Sequence, residues 1–342
     1  MTSFRKSGAP ARSFARIVPL GLIAVLMAGA TSSAPAAQPE FRVVEYAIPT
    51  PNAMPHSIAA APDGKIYFSE FAGNKIGVFD PRTEKFTEYP VRTPRAVPHG
   101  VGIDPRSGLV YVTLLNGNKI IQLDPAEGKL KEFDIPTPRA APHTAWVDRD
   151  GNVFFTEAGA GKIGKLDPRT GQVREFAGPA RNAVPYGLEI DKNGIVWFAE
   201  LNASKLGRLD PTTGQLQEFS PPTPDAGTRR VSIDSTGRIW ISYFRAHKIA
   251  IFDPATKTFT EFATVSVGAA PYAIVVDKDD FVWYSEFATD QIVRFNPRTR
   301  ETLVFKTPTA HAQVRLLTVA PDNSVWYANF GNSKIGRIGP QR

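Results

Sequence analysis

Three of the five histidines in this 342-residue chain, His56, His99 and His143, each follow a proline and recur at intervals of about 43 residues. Fourteen residues after His56 and His143 stand Glu70 and Glu157, and the same spacing reaches Glu200 and Glu286 further along. A neutral imidazole accepts a proton near neutral pH. A carboxylate binds a hard cation such as Mg²⁺, which can stabilise a developing oxyanion. In the remaining copies the first position carries Tyr186, Arg229, Tyr272 and Arg315, and the second carries Leu114, Tyr243 and Asn329. The arginines offer anchors for carboxylate or carbonyl oxygens, and the tyrosines can stack on a flat ligand.

The elements that must position these residues come from a repeat. Seven units fill nearly the whole chain, beginning at Pro55, Pro98, Pro142, Pro185, Thr228, Pro271 and Val314. Each holds four short apolar segments separated by Gly, Asn, Asp and Pro turns, which is the pattern of a β-propeller blade and lacks a helical rhythm. The second segment is apolar at consecutive positions, as in Ile66-Tyr67-Phe68, Val196-Trp197-Phe198 and Val282-Trp283-Tyr284. Such a strand must be buried on both faces, so Trp197, Trp240, Trp283 and Trp326 are expected between blades. Asp63-Gly64 and its equivalents fit tight hairpins, and Asp80-Pro81 and its equivalents fit a second turn. The fold class is therefore all-β, a seven-bladed propeller of four-stranded blades.

The last unit lacks an outermost strand, and FRVVEYAIPTP, from Phe41, resembles the outermost strands of other units. The N-terminal strand should therefore close the last blade. In a propeller with this strand order the two recurring positions should converge on one mouth of the central channel. Two readings are open there. The residues cap the channel and satisfy one another, or they form a binding or catalytic site for a small molecule, which is the expected reading for the set as a whole. Glu189, three residues after Tyr186, either faces the channel or packs.

Arg5, Lys6, Arg12 and Arg16 precede an apolar run from Ile17 to Ala30 and the small residues Ala34-Pro35-Ala36-Ala37. That is the pattern of a secretory signal peptide over residues 1–37, with a run too short to span a membrane. The propeller then occupies residues 38–342, and a periplasmic or secreted address is expected. Without the leader, the chain keeps 36 of its 40 basic residues and all 33 acidic ones, a net +3, with no basic tract for nucleic acid or a membrane surface. There is no cysteine, which excludes disulfides and thiolate chemistry. A monomer is expected.

The unit PHxI…PDGxIWFxE…NKIGRxDP…GxxxEFxxPTP resembles that of the streptogramin B lyase family, the virginiamycin B lyase-like propellers, over essentially all of the mature chain. The resemblance implies Mg²⁺-assisted elimination at the ester of a cyclic depsipeptide. It also implies a site made of Glu-Pro-His, a Glu fourteen residues on, and a Pro-His in the preceding blade. Those enzymes carry it in the final blade, where this chain has Gln313, Arg315 and Asn329, preceded by Tyr272. A rotated match places Pro98-His99, Pro142-His143 with Glu157, and Pro185-Tyr186 in blades two to four, with Ala141 at the first Glu position. His56 with Glu70 is a second partial copy, with Met54 at that position.

The expectation is thus a carbon–oxygen lyase with His143 as base. His99, Tyr186, His56, Arg229, Tyr272 and Arg315 would be substrate contacts, and Glu157, Glu70, Glu200 and Glu286 Mg²⁺ ligands. The alternatives are a non-catalytic binding propeller and a metal-dependent hydrolase or lactonase.

Overall fold

The computed structural model describes residues 41–178, 180 and 182–340. The expected signal peptide lies outside them. The described chain forms seven four-stranded antiparallel sheets, six of them built from consecutive strands. The seventh orders its strands as Val314–Val319, Val325–Asn329, Lys334–Pro340 and then Phe41–Ala47. The N-terminal strand pairs with the C-terminal one from Phe41 opposite Pro340 to Ala47 opposite Lys334, as expected for closure of the ring. Its aromatic residues reach three blades. Phe41 packs on Trp283 and Phe305, and Tyr46 on Phe79 and Trp326.

The second strand is buried at every residue in all seven blades, as its unbroken apolar pattern requires. Alternation sends successive side chains to opposite neighbours. Phe68 packs with Trp326 and Ile335 of the seventh blade, whereas Ser69 Oγ donates to the carbonyl of His99 in the second. The glycine of Lys-Ile-Gly has a packing cause: a Cβ on Gly77 would lie 2.1 Å from the Phe68 ring. Where the opposite residue is the smaller Val112 or Ile241, the third strand carries Ile121 or Ala250 instead. Trp197, Trp240, Trp283 and Trp326 are all buried, with each indole N–H donating to an Asp carboxylate or to Ser324.

Every inner strand has a break in register at the same place. Pro55 pairs with Glu70 and Ile58 with Phe68, leaving His56 and Ser57 in a bulge, and the other six blades repeat this. A bulge frees backbone groups and re-aims a side chain. The freed groups are satisfied by hydroxyls of the second strand. The Ser57 N–H donates to Ser69 Oγ and the Gly100 N–H to Thr113 Oγ1. Thr113 and Thr156 in turn donate to the carbonyls of His143 and Tyr186 in the next blade. The inner strands also approach closely. A Cβ on Gly100 would lie 2.3 Å from the His143 carbonyl oxygen.

Candidate functional site

The bulged residue of each blade is the one that carries His, Tyr or Arg, and the seven bulges bring these side chains together on the axis. His56, His99, His143 and Tyr186, from blades one to four, form a continuous arc with ring centroids 3.7, 3.9 and 3.7 Å apart. Blades five to seven complete the ring differently. Arg229 donates to Tyr186 Oη at 2.7 Å, Tyr186 Oη and Tyr272 Oη are 2.8 Å apart, and Arg315 donates to Tyr272 Oη at 3.2 Å. Tyr272 Oη also lies 3.4 Å from His56 Nε2. All seven first-position residues expected at the channel mouth are thus brought together.

Before each inner strand stands a residue with positive φ: Met54, Val97, Ala141, Val184, Gly227, Ala270 and Gln313. For a valine this left-handed backbone is costly and persists only where the surroundings enforce it. Here the carbonyls of Met54, Val97, Val184 and Gly227 accept the N–H of Phe71, Leu115, Leu201 and Phe244, the residue just beyond each second strand. That residue forms the rim of the mouth. Phe71 contacts His56, Phe244 and Phe287 contact Tyr272, and Phe330 contacts His56. Arg229 lies 4.5 Å from the Phe244 ring and 3.6 Å from the Tyr272 ring, and Arg315 lies 4.3 Å from Phe330. Sequence reasoning missed this rim. Its signal is an aromatic residue directly after the second strand in four of the seven repeats.

The second set of expected residues goes elsewhere. Glu70 and Phe68 lie on one face of the strand by alternation, so the Glu70 carboxylate turns to the seam with the preceding blade. Its neighbours are Glu88, Lys75 and Thr50, none of them axial. Glu157 likewise sits by Glu175 and Lys162, and Glu200 by Glu218 and Lys205. Among the described residues, neither carboxylate oxygen of Glu157 has a hydrogen-bond partner. Glu286 has a structural task, accepting the Val265 and Ser266 N–H groups and the Thr289 hydroxyl. The convergence of both repeat positions on one mouth is corrected accordingly: the glutamates belong to seams between blades and only the first position reaches the axis.

The seam contains a further repeated device that sequence reasoning did not identify. A lysine at the start of the third strand pairs with a glutamate of the outermost strand, and that glutamate accepts from a threonine of the preceding loop. Lys75, Glu88 and Thr50 form one such clasp, and Lys162, Glu175 and Thr137 another. In the sixth blade the outermost strand has Val304 at this position and Glu286 binds the loop instead. In the seventh, Glu45 of the N-terminal strand serves, held by Lys334, Thr309, Tyr327 and Asn329.

Electrostatics differ between axis and seam. Burial pushes the pKa of Glu70 up to about 7 and those of Glu157 and Glu200 up to about 8. On the axis, burial holds His56 and His143 well below the usual imidazole value, aided by neighbouring His and Arg residues, and brings His99 to about 3. His99 Nδ1 donates to the His143 carbonyl and His143 Nδ1 lies 3.1 Å from Thr144 Oγ1. For Tyr272, burial raises the phenol, but Arg229, Arg230 and Arg315 outweigh it and bring the pKa down to about 7.

The donor set at the mouth does not fit Mg²⁺. It consists of stacked imidazoles, phenols and guanidinium cations, whereas that ion takes oxygen ligands, mostly carboxylate and water. Among the described residues, no three His, Asp or Glu side chains come together in a way that could hold a metal ion.

The virginiamycin B lyase family model matches residues 104–342. A solved streptogramin B lyase structure is 26% identical, with 88% of this chain and 98% of that one covered and a TM-score of 0.83. A virginiamycin B lyase from Staphylococcus aureus is 24% identical over 88% of this chain and all of that one, with a TM-score of 0.82. The same enzyme has been solved with quinupristin as a catalytically inactive histidine-to-alanine variant. Hydrazine synthase of Kuenenia stuttgartiensis shares the fold alone, at 13% identity over 86% of this chain and 97% of that one, with a TM-score of 0.70. A search of curated protein sequences found no match.

Proposed function

The chain belongs to the virginiamycin B lyase family, and from that premise we propose that it binds a small ester- or carboxylate-bearing molecule at the axial mouth, as a secreted or periplasmic protein. One observation carries this reading. Arg229 and Arg315 are half-buried over an aromatic floor, and the ion pairs found among the described residues include neither of them. A guanidinium in such a place is left to recruit oxygen from a ligand. The Phe rim supplies the apolar wall that a macrocycle or aromatic group needs.

The setting of Tyr272 favours a second, catalytic reading, carbon–oxygen elimination. The base removes a proton next to a carbonyl, the electron pair forms a C=C bond, and the C–O bond breaks to release a carboxylate. A Tyr272 phenolate can accept the proton, and Arg229 and Arg315 can hold the enolate oxygen. His143 is less suited to be the base, pressed between His99 and Tyr186 with Nδ1 against Thr144. Glu157 is not beside it. The hydrolase reading rested on channel carboxylates, and their seam positions give it no support.

The test is calorimetry and mass spectrometry of the mature chain with a type B streptogramin and a panel of lactones. Binding should weaken by about tenfold in Arg229→Gln and again in Arg315→Gln. Ring opening by elimination would leave the mass unchanged and create an alkene, whereas hydrolysis would add water. Wild-type affinity in the double variant would overturn the binding reading. Binding without ring opening would leave a receptor and remove the lyase.

A further inference from the structure

The plug of His and Tyr rings divides the axis, and on its far side a separate cavity of about 420 Å³ opens to the opposite face. Its walls are the outer halves of the inner strands, mostly Ala, Val, Ile and Leu. Ser57, Thr144, Ser232 and Thr318 add hydroxyls, and three larger side chains stand out from this lining: Arg230, Trp146 and Glu189. Trp146 is 39% exposed, while the other four tryptophans are buried, so one large aromatic surface is left bare inside a tube. Arg230 is only 5% exposed, at the end of the cavity next to the plug. Its guanidinium donates to Thr144 Oγ1 and lies 4.9 Å from the Tyr186 ring. Its Nε has no partner, and the ion pairs found among the described residues do not include it.

Among the described residues Arg230 has no carboxylate partner, and the Tyr272 phenol that offsets its charge is shared with Arg229 and Arg315, so an anion entering from solvent lowers the cost of keeping this cation buried. Trp146 stands two residues further along its strand than Thr144, the acceptor that Arg230 reaches, a separation of about 7 Å along the axis. With the guanidinium and the indole each reaching into the cavity between these positions, one small molecule can meet both with a carboxylate and a ring. The rest of the wall has no further cation to neutralise a second charge, which argues against phosphate or a dicarboxylate. Glu189 does not oppose a monoanion. Desolvation by its surroundings pushes the carboxyl up to about 8 against the opposing pull of Ser232 and the Ile233 amide, which favours the neutral form at neutral pH.

We propose that this second axial cavity binds a small monocarboxylate with an aromatic body, its carboxylate paired with Arg230 and its ring against Trp146. The site is distinct from the mouth, from which the His and Tyr plug separates it.

Phenylacetate is a suitable probe, with 2-phenylethanol as the uncharged control. Trp146 is the exposed member of five tryptophans, so phenylacetate should change the intrinsic emission and protect it from acrylamide quenching, while the alcohol binds at least tenfold more weakly. Trp146→Phe should abolish the optical signal and weaken binding by calorimetry several-fold. Arg230→Gln should weaken phenylacetate at least tenfold and leave the alcohol unchanged. Arg230→Lys, which keeps the charge, should retain part of the affinity, and this separates lost recognition from lost folding. The proposal is overturned if phenylacetate does not bind the wild type at millimolar concentration. It is equally overturned if Arg230→Gln binds normally, or if binding is lost in Arg229→Gln/Arg315→Gln and kept in Arg230→Gln, which would place the probe at the mouth.

Discussion

Tyr272 on the axis and Glu157 at a seam are both acids buried in the same repeat architecture, and burial leads them to opposite charge states. At the seam, the nearest cation, Lys162, is already paired with Glu175, so desolvation dominates and Glu157 stays protonated to about pH 8. On the axis, three guanidinium groups face the hydrogen-bonded phenols of Tyr186 and Tyr272 with no carboxylate among them, so attraction overcomes desolvation for one of the two, and Tyr272 is brought down to about 7. What differs is the balance of fixed charge around each group. The seam has neutralised itself and serves cohesion, whereas the axis keeps an excess of positive charge, which is what the proposed anionic ligand would meet.

Removing the strand Phe41–Ala47 tests the seam side with the largest expected effect. It takes away the outermost strand of the seventh blade, the Glu45 clasp and the packing of Phe41 and Tyr46 against Trp283 and Trp326. Phe41 and Tyr46 are partly buried, but they cover the fully buried Trp283 and Trp326, and aromatics of that kind cost about 3–5 kcal/mol on truncation to alanine. The shortened chain should fail to melt cooperatively in a circular-dichroism scan. A melting temperature within a few degrees of the full mature chain would show that the seams carry little of the stability.

The fold was legible in the sequence because its causes are local and repeated. Consecutive apolar residues in each second strand, Asp-Gly hairpins and the missing last strand each point to one architecture. The axial ring was legible for the same reason, since one repeat position carries His, Tyr or Arg in every blade. The glutamate position misled because the side chain's direction depends on a register shift. The bulge that turns His56 inward lies in the inner strand, and nothing in the second strand reverses its alternation, so Glu70 follows Phe68 to the seam. The Phe rim depends on loop backbones held at positive φ, which no residue type at Val97 or Val184 announces. Arg230 follows Arg229 directly in the sequence, and only the ring geometry separates them, with Arg229 at the mouth and Arg230 lining the far cavity.

Glu157→Gln is the intermediate test, and its sign follows from protonation. The carboxyl has a folded pKa of about 8 against an ordinary value of 4.5, so between those values the folded state holds a proton that the unfolded state has released. Stability from this group therefore falls as pH rises from 4.5 to 8. The glutamine variant cannot ionise. It should match the wild type near pH 4.5 and exceed it by about 4 kcal/mol at pH 8.5, by denaturant unfolding at both pH values. Ligand affinity at the mouth should stay within twofold. A large loss of affinity would put the Glu157 carboxylate back at the axis and break the separation between the two rings.

The smallest effect, and the sharpest on the axial side, is the titration of Tyr272. A phenol whose folded pKa is near 7 and whose ordinary value is 10 contributes stability that is complete above pH 10 and is lost as pH falls from 10 to 7, the reverse of Glu157. An ultraviolet difference titration between pH 5 and 9 should show one phenolate forming with a midpoint near 7, a signal absent from Tyr272→Phe. Arg315 donates to the Tyr272 hydroxyl, so Arg315→Gln should move the midpoint up by about one unit, while Glu157→Gln leaves it in place. An anion bound at the mouth should also raise it, because the ligand takes up positive charge that otherwise favours the phenolate. If no phenolate appears below pH 9 in the folded protein, the guanidinium groups do not outweigh burial, and the axial ring is as electrically quiet as the seams around it.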